Sequence, residues 1–165
     1  MRILFQGDSI TDCGRSWQDM NNLGRGYAHL VEASLGYAEP GQHEFINKGI
    51  SGNRIVDLYA RMKSDILNLK PDYMSILIGI NDVWHEIGDH NGVDAEKFEL
   101  VYDLLIQELL REVPGLKLML LEPFVAPGTM TNDDLEWFRV EVAKMAVKVR
   151  ELAEEFDLPF IELQA

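Results

Sequence analysis

Three short segments of the chain place a hydroxyl, glycines and an amide where they could do chemistry. The first is Gly7-Asp8-Ser9-Ile10-Thr11-Asp12, directly after the apolar run Arg2–Gln6. A serine just past a buried strand, flanked by a glycine, sits at a sheet's ligand-binding edge. If a helical turn starts there, backbone N–H groups face the serine and favour a developing negative charge. The same residues also read as a turn capped by Ser9 or Asp8. The second segment is Asn47-Lys48-Gly49-Ile50-Ser51-Gly52-Asn53-Arg54. Its glycines permit φ > 0 or close approach of backbone to a ligand, and equally a plain turn leading into a helix. The third is Ile78-Gly79-Ile80-Asn81-Asp82-Val83-Trp84, where an apolar strand runs into a glycine and then an asparagine able to donate its side-chain amide. Taken singly, turn chemistry accounts for it as well.

The elements around these segments alternate. Strands are expected at Arg2–Gln6, Phe45–Lys48, Tyr73–Ile78, Leu116–Leu121 and Pro159–Leu163. Helices are expected at Tyr27–Leu35 with Gly36 as a stop, at Ile55–Leu69, at Ala95–Glu112 and at Leu135–Phe156, each from apolar residues at steps of three and four. Gly88–Val93 reads as a polar loop. Such alternation predicts one α/β domain over residues 1–165, a three-layer, flavodoxin-like doubly wound sheet of about five parallel strands. Ligands then bind outside the carboxyl ends of the strands. A doubly wound domain normally closes with a further helix after its last strand. The sequence shows none, so uncovered apolar surface is expected, and self-association into a homo-oligomer with it.

Taken together, in order and at strand ends, the three segments resemble the SGNH (GDSL-type) serine esterases: Gly7-Asp8-Ser9, Gly52 within Ser51-Gly52-Asn53, and Gly79-Ile80-Asn81-Asp82. The longer strings Gly7–Arg15, Asn47–Asn53 and Ile78–Trp84 look like the branch of cytoplasmic acetylxylan esterases. The resemblance implies an acyl-enzyme on Ser9, with an oxyanion hole made by the backbone N–H groups of Ser9 and Gly52 and the side-chain amide of Asn81. By the same resemblance the substrate is a small-molecule ester or an acetylated oligosaccharide, met by Asp8, Asn53, Asp82 and Trp84. Asp8 and Asp82 order the loops rather than react. No metal or cofactor is implied.

The family's base and its orienting carboxylate come from an Asp-x-x-His block after the fifth strand. None of the four histidines, His29, His43, His85 and His90, has an aspartate three residues before it. These 165 residues alone are therefore expected to be inactive. The alternatives are a GDSL-type lipase or thioesterase acting on longer acyl esters, and a catalytically dead ligand-binding relative. His85 is the one histidine close enough to the third segment to touch substrate. Cys13 reads as a small buried residue, Trp17 and Trp84 as candidate sugar platforms, Trp137 as packing or surface, and Arg54 as the partner of a carboxylate.

Composition narrows the partners. Lys+Arg number 15 against 28 Asp+Glu, for a formal net charge of -13. Nucleic acid and anionic membrane surfaces meet a repulsive field. No apolar run is long enough to span a bilayer. A lone cysteine closes no disulfide within the chain, and with no secretory signal visible the expected location is cytoplasmic.

Overall fold

The computed structural model describes residues 1–164, so Ala165, the last residue of the expected domain, lies outside the described residues. Five strands, β1 (Arg2–Gly7), β2 (Glu44–Asn47), β3 (Tyr73–Leu77), β4 (Lys117–Leu121) and β5 (Phe160–Ile161), form one sheet in the order β2-β1-β3-β4-β5. All four pairings are parallel, with Leu4 opposite Ile46 and Met74, Met74 opposite Leu118, and Leu120 opposite Phe160. The strand order reverses between β1 and β3. That switch point leaves a crevice at their carboxyl ends, where this class of sheet binds ligands.

Six helices flank the sheet: α1 (Ser9–Asp12), α2 (Tyr27–Ala38), α3 (Ile55–Asp65), α4 (Ile80–Asp89), α5 (Ala95–Glu112) and α6 (Leu135–Glu155). Alternate strand residues Leu4, Ile46, Met74, Ile76, Leu118 and Leu120 join α3 to α6 in the main core. On the other face α2 covers β1 and β2 through Tyr27, Ala28, Val31 and Leu35 against Phe5 and Phe45. Beyond α2 that face is open. Tyr73, Met119 and Ile161 lie on it, 42%, 36% and 41% exposed.

The boundaries depart from expectation for identifiable reasons. Helix α2 runs through Gly36, whose missing side chain would face open space, and stops at Glu39 before Pro40, which disfavours helical backbone in its predecessor. Leu30, placed on the buried stripe by its spacing, is 68% exposed. The expected helix Ile55–Leu69 breaks at Ile66 (φ -133°) into a 3-10 turn, Leu67–Leu69, ahead of Pro71. The last strand pairs only at Phe160–Ile161, because the N–H groups of Leu163 and Gln164 donate to the Glu122 carboxylate at 2.7 and 2.8 Å instead of to a neighbouring strand. The largest difference is α4, which begins inside the third segment and takes up Gly88 and Asp89 of the expected loop. It ends only at His90, in left-handed backbone (φ 48°).

Phe98 is fully buried beneath the carboxyl end of the sheet, with its ring edge-to-face on Tyr102 at 5.6 Å. Replacing it with alanine is expected to destabilise the fold by about 3–5 kcal/mol, the range for emptying a buried aromatic site. Equilibrium urea unfolding measures this directly.

Candidate active site

The three segments follow β2, β1 and β3 and meet at the switch point. Ser9 opens α1. Asp8 caps that short helix, accepting the Ile10 N–H at 2.9 Å, and Ser9 itself stands exposed. Gly7 permits the tight exit from β1: a Cβ there would lie 2.3 Å from the Leu77 carbonyl oxygen and 2.4 Å from Thr11 Oγ1. Asn81 sits in the first turn of α4, and its side-chain amide donates to the Asn53 carbonyl at 3.1 Å. One amide hydrogen of Asn81 is thereby engaged and the other is available.

The turn from Gly49 to Ile55 is braced at almost every backbone donor. Gly49 N–H donates to Asn47 Oδ1, Ile50 to the Gly7 carbonyl, and Ser51 to Asp12 Oδ2. Asn53 donates to the Ile50 carbonyl, Arg54 to Asp57, and Ile55 to Asp82. Arginines hold the carbonyl side: Arg15 Nε donates to Gly49 at 2.6 Å and Arg61 Nη1 to Lys48 at 2.8 Å. Among the described residues the Gly52 N–H alone in this turn has no acceptor. A Cβ on Gly52 would meet nothing within 4 Å, and its φ of 84° supplies the reason for glycine.

Ser9 and Asn81 line one groove of about 710 Å³ with Ile10, Ile80, Trp84 and His85, closed by Phe124, Val125 and Ala126 after β4. Gly52 and Asn53 do not line it; the Asn81–Asn53 hydrogen bond joins them to its rim. The groove is mostly apolar, a feature the sequence did not reveal. Trp84 is half-buried against Phe138, ring centres 4.9 Å apart. Trp17 is 65% exposed under the Arg15 guanidinium and lies outside the groove.

Asp8 and Asp82, grouped with the substrate contacts by resemblance, are buried (0% and 1% exposed). Burial pushes the carboxyl of each up to about 7. A carboxyl whose folded value lies above its unfolded value of about 3.9 holds its proton more tightly when folded. Its favourable contribution is full below about pH 4 and is lost as the pH rises through 7. The melting temperature is therefore expected to be higher at pH 5 than at pH 8. Asp8→Asn and Asp82→Asn should each flatten that slope in a calorimetric pH series.

The remaining candidates are accounted for by their contacts. Arg54 pairs with Asp57 at 3.0 Å. His29 pairs with Glu32, His43 with Glu39, and His90 is exposed 3.8 Å from Glu86. Cys13 is only partly buried, in left-handed backbone at the end of α1. Nothing in the sequence marks Asn47, Asp12, Arg15 and Arg61 as bracing residues except adjacency: each lies in or one helix from the quoted strings, but the partner of a buried polar side chain is set by the fold. Among the described residues no cluster of histidine, cysteine and carboxylates could hold a metal, and no helix is long and apolar enough to cross a membrane.

Comparison with known proteins gives one consistent result. The model of the GDSL-like lipase/acylhydrolase family matches residues 5–165. An acetylxylan esterase of Geobacillus stearothermophilus is 36% identical over 174 residues, covering 99% of this chain and 76% of the esterase. The crystal structure of Axe2, an acetylxylan esterase from that organism, superposes with a TM-score of 0.83 at 34% identity, over 96% of this chain and 74% of that one. Variants of Axe2 described as catalytic mutants replace a serine, an aspartate and a histidine.

Proposed function

The chain belongs to the GDSL-like lipase/acylhydrolase family of ester hydrolases, and from that premise we propose that it removes acetyl groups from carbohydrate esters through an acyl-enzyme on Ser9. Ser9 Oγ attacks the ester carbonyl. The resulting oxyanion is met by the N–H groups of Ser9 and Gly52 and by the free amide hydrogen of Asn81. The observation that carries this reading is the donor pattern of the Gly49–Ile55 turn, which satisfies its N–H groups from flanking residues and leaves Gly52 for a ligand. Donors held this way lose no freedom as charge develops, which is the condition for a large rate effect. A neutral sugar ester also suits a chain of net charge -13, and Trp84 on the groove wall offers an apolar face to a sugar ring.

Proton transfer from Ser9 is the step these residues support least. Ser9 Oγ makes no hydrogen bond to a described side chain, and the one histidine on the groove is His85. We infer that residues 1–165 by themselves hydrolyse esters only slowly.

A second reading is favoured by one observation. The apolar wall of Ile80, Trp84, Ile87, Phe124 and Val125 would also accept a longer acyl chain. Ser9-dependent hydrolysis of p-nitrophenyl acetate, butyrate and octanoate, set beside acetate release from acetylated xylo-oligosaccharide, separates the two. The acetyl reading expects kcat/KM to fall with chain length. A maximum at octanoate would replace it with the longer-chain reading.

A further inference from the structure

Asn81 and Asp82 are neighbours on the first turn of α4, and both reach across to the Gly52 turn. Asn81 Nδ2 donates to the Asn53 carbonyl. The Asp82 carboxylate accepts the Ile55 N–H at both oxygens, 3.0 and 3.2 Å. Ile55 is the first residue of α3 and fully buried. Its N–H is one of the donors that a helix leaves unpaired at its start. The side chain of Arg54, at the capping position, carries no oxygen, and the acceptor for Ile55 comes from another helix. The α3 dipole offsets part of the cost that burial puts on a negative charge at that place. The far side of Asp82 is fixed as well: its carbonyl accepts the Val93 N–H at 2.8 Å, and the chain packs so closely there that a Cβ on Gly92 would lie 2.8 Å from it. Both ties follow Gly52 closely, one at the next residue and one three residues on. Together they fasten the residues just after Gly52 to the first turn of α4.

We propose that Asp82 is a positioning residue for the oxyanion hole, acting through the Ile55 N–H to hold the Gly52 amide at a fixed offset from Asn81. This rests on the esterase reading, since it assigns a purpose to that offset. Asp82 touches no substrate. Its effect is geometric, and displacing a catalytic group by about 1 Å is enough to lose roughly 100-fold in rate.

The experiment reads geometry and turnover separately. Amide proton–nitrogen spectra of the 165-residue chain are recorded for wild type, Asp82→Asn, Asp82→Ala and Val83→Ala. Asn keeps one acceptor oxygen and the volume, Ala keeps neither, and Val83→Ala loosens the same turn of α4 without touching the tie. The Ile55, Gly52 and Asn81 side-chain signals are expected to shift together, most in Asp82→Ala, less in Asp82→Asn, and little in Val83→Ala at matched loss of melting temperature. If Asp82→Ala does not fold, Asp82→Asn decides alone by whether Gly52 moves with Ile55. Ile55 moving while Gly52 and Asn81 stay overturns the proposal, as does an equal Gly52 shift in Val83→Ala. The second arm is Ser9-dependent acetate release. There kcat should fall about 10- to 100-fold in Asp82→Ala with KM nearly constant, and Asp82→Asn should recover most of it. A fall carried by KM instead overturns the proposal. Absence of any Ser9-dependent release in wild type agrees with the slow hydrolysis expected of residues 1–165 and leaves the spectra to decide the role of Asp82.

Discussion

Appending an Asp-x-x-His segment of the acetylxylan esterase type after β5 is expected to raise Ser9-dependent hydrolysis of p-nitrophenyl acetate by about 10²–10⁴, the usual contribution of a positioned general base. Ser9 stands exposed at the start of α1 with no described side chain on its hydroxyl. A serine that keeps its proton is a poor nucleophile. On the proposed reading these residues carry the oxyanion donors, and such a site without a working triad still exceeds water by roughly 10³–10⁴. In the extended chain Ser9→Ala should return the rate to that residual level, with equal folding checked by circular dichroism. The contrary result is equally informative. If residues 1–165 already turn over acetate esters at rates within tenfold of the extended chain, the base lies inside them. His85 on the groove wall is then the residue to replace.

The second large effect is at Asn81. In the extended chain Asn81→Ala should lower kcat about 10²–10³-fold, the scale for losing one oxyanion donor, with KM little changed because the ground-state carbonyl demands less of that donor. Asn81→Asp should recover nothing, since an ionised carboxylate accepts hydrogen bonds and donates none. The Asn53 tie is lost in both variants, at about 1 kcal/mol of stability for one hydrogen bond. A steady-state kinetic comparison alongside thermal unfolding tells the two losses apart. A kcat within twofold of wild type in Asn81→Ala would remove Asn81 from the oxyanion hole.

Much of the architecture was legible because period and punctuation agreed. Helix Ala95–Glu112 is found at its expected bounds, opened by Asp94, whose side chain accepts the Lys97 N–H at 2.9 Å. The five strands announced themselves as short apolar runs, and their parallel direction follows from the alternation with helices. Helix α4 carries the helical spacing too, in Ile80, Val83, Trp84 and Ile87, but over only ten residues that pattern is masked by the turn signals of Gly79 and Asn81-Asp82 at its start and Gly88 at its end. The site was legible as three strings at strand ends. The burial of Asp8 and Asp82 was not, since sequence gives a carboxylate's neighbours along the chain and the fold gives the ones across it. The apolar groove was missed for the same reason: Phe124 and Val125 come from the far side of β4, more than 40 residues after Asn81.

The bracing of the Gly49–Ile55 turn also bears on how the protein fails on heating. Connecting segments usually open first, with low local unfolding free energies, so that a loop-borne site is lost while the core persists. Here the turn is fastened to β1 through Gly7, to α1 through Asp12, to α3 through Arg61 and to α4 through Asn81 and Asp82. Those four elements belong to the body of the domain, and releasing the turn means breaking charged and buried bonds to each. Thermal inactivation should therefore track global unfolding, with no temperature interval in which the sheet is intact and its donors are scattered.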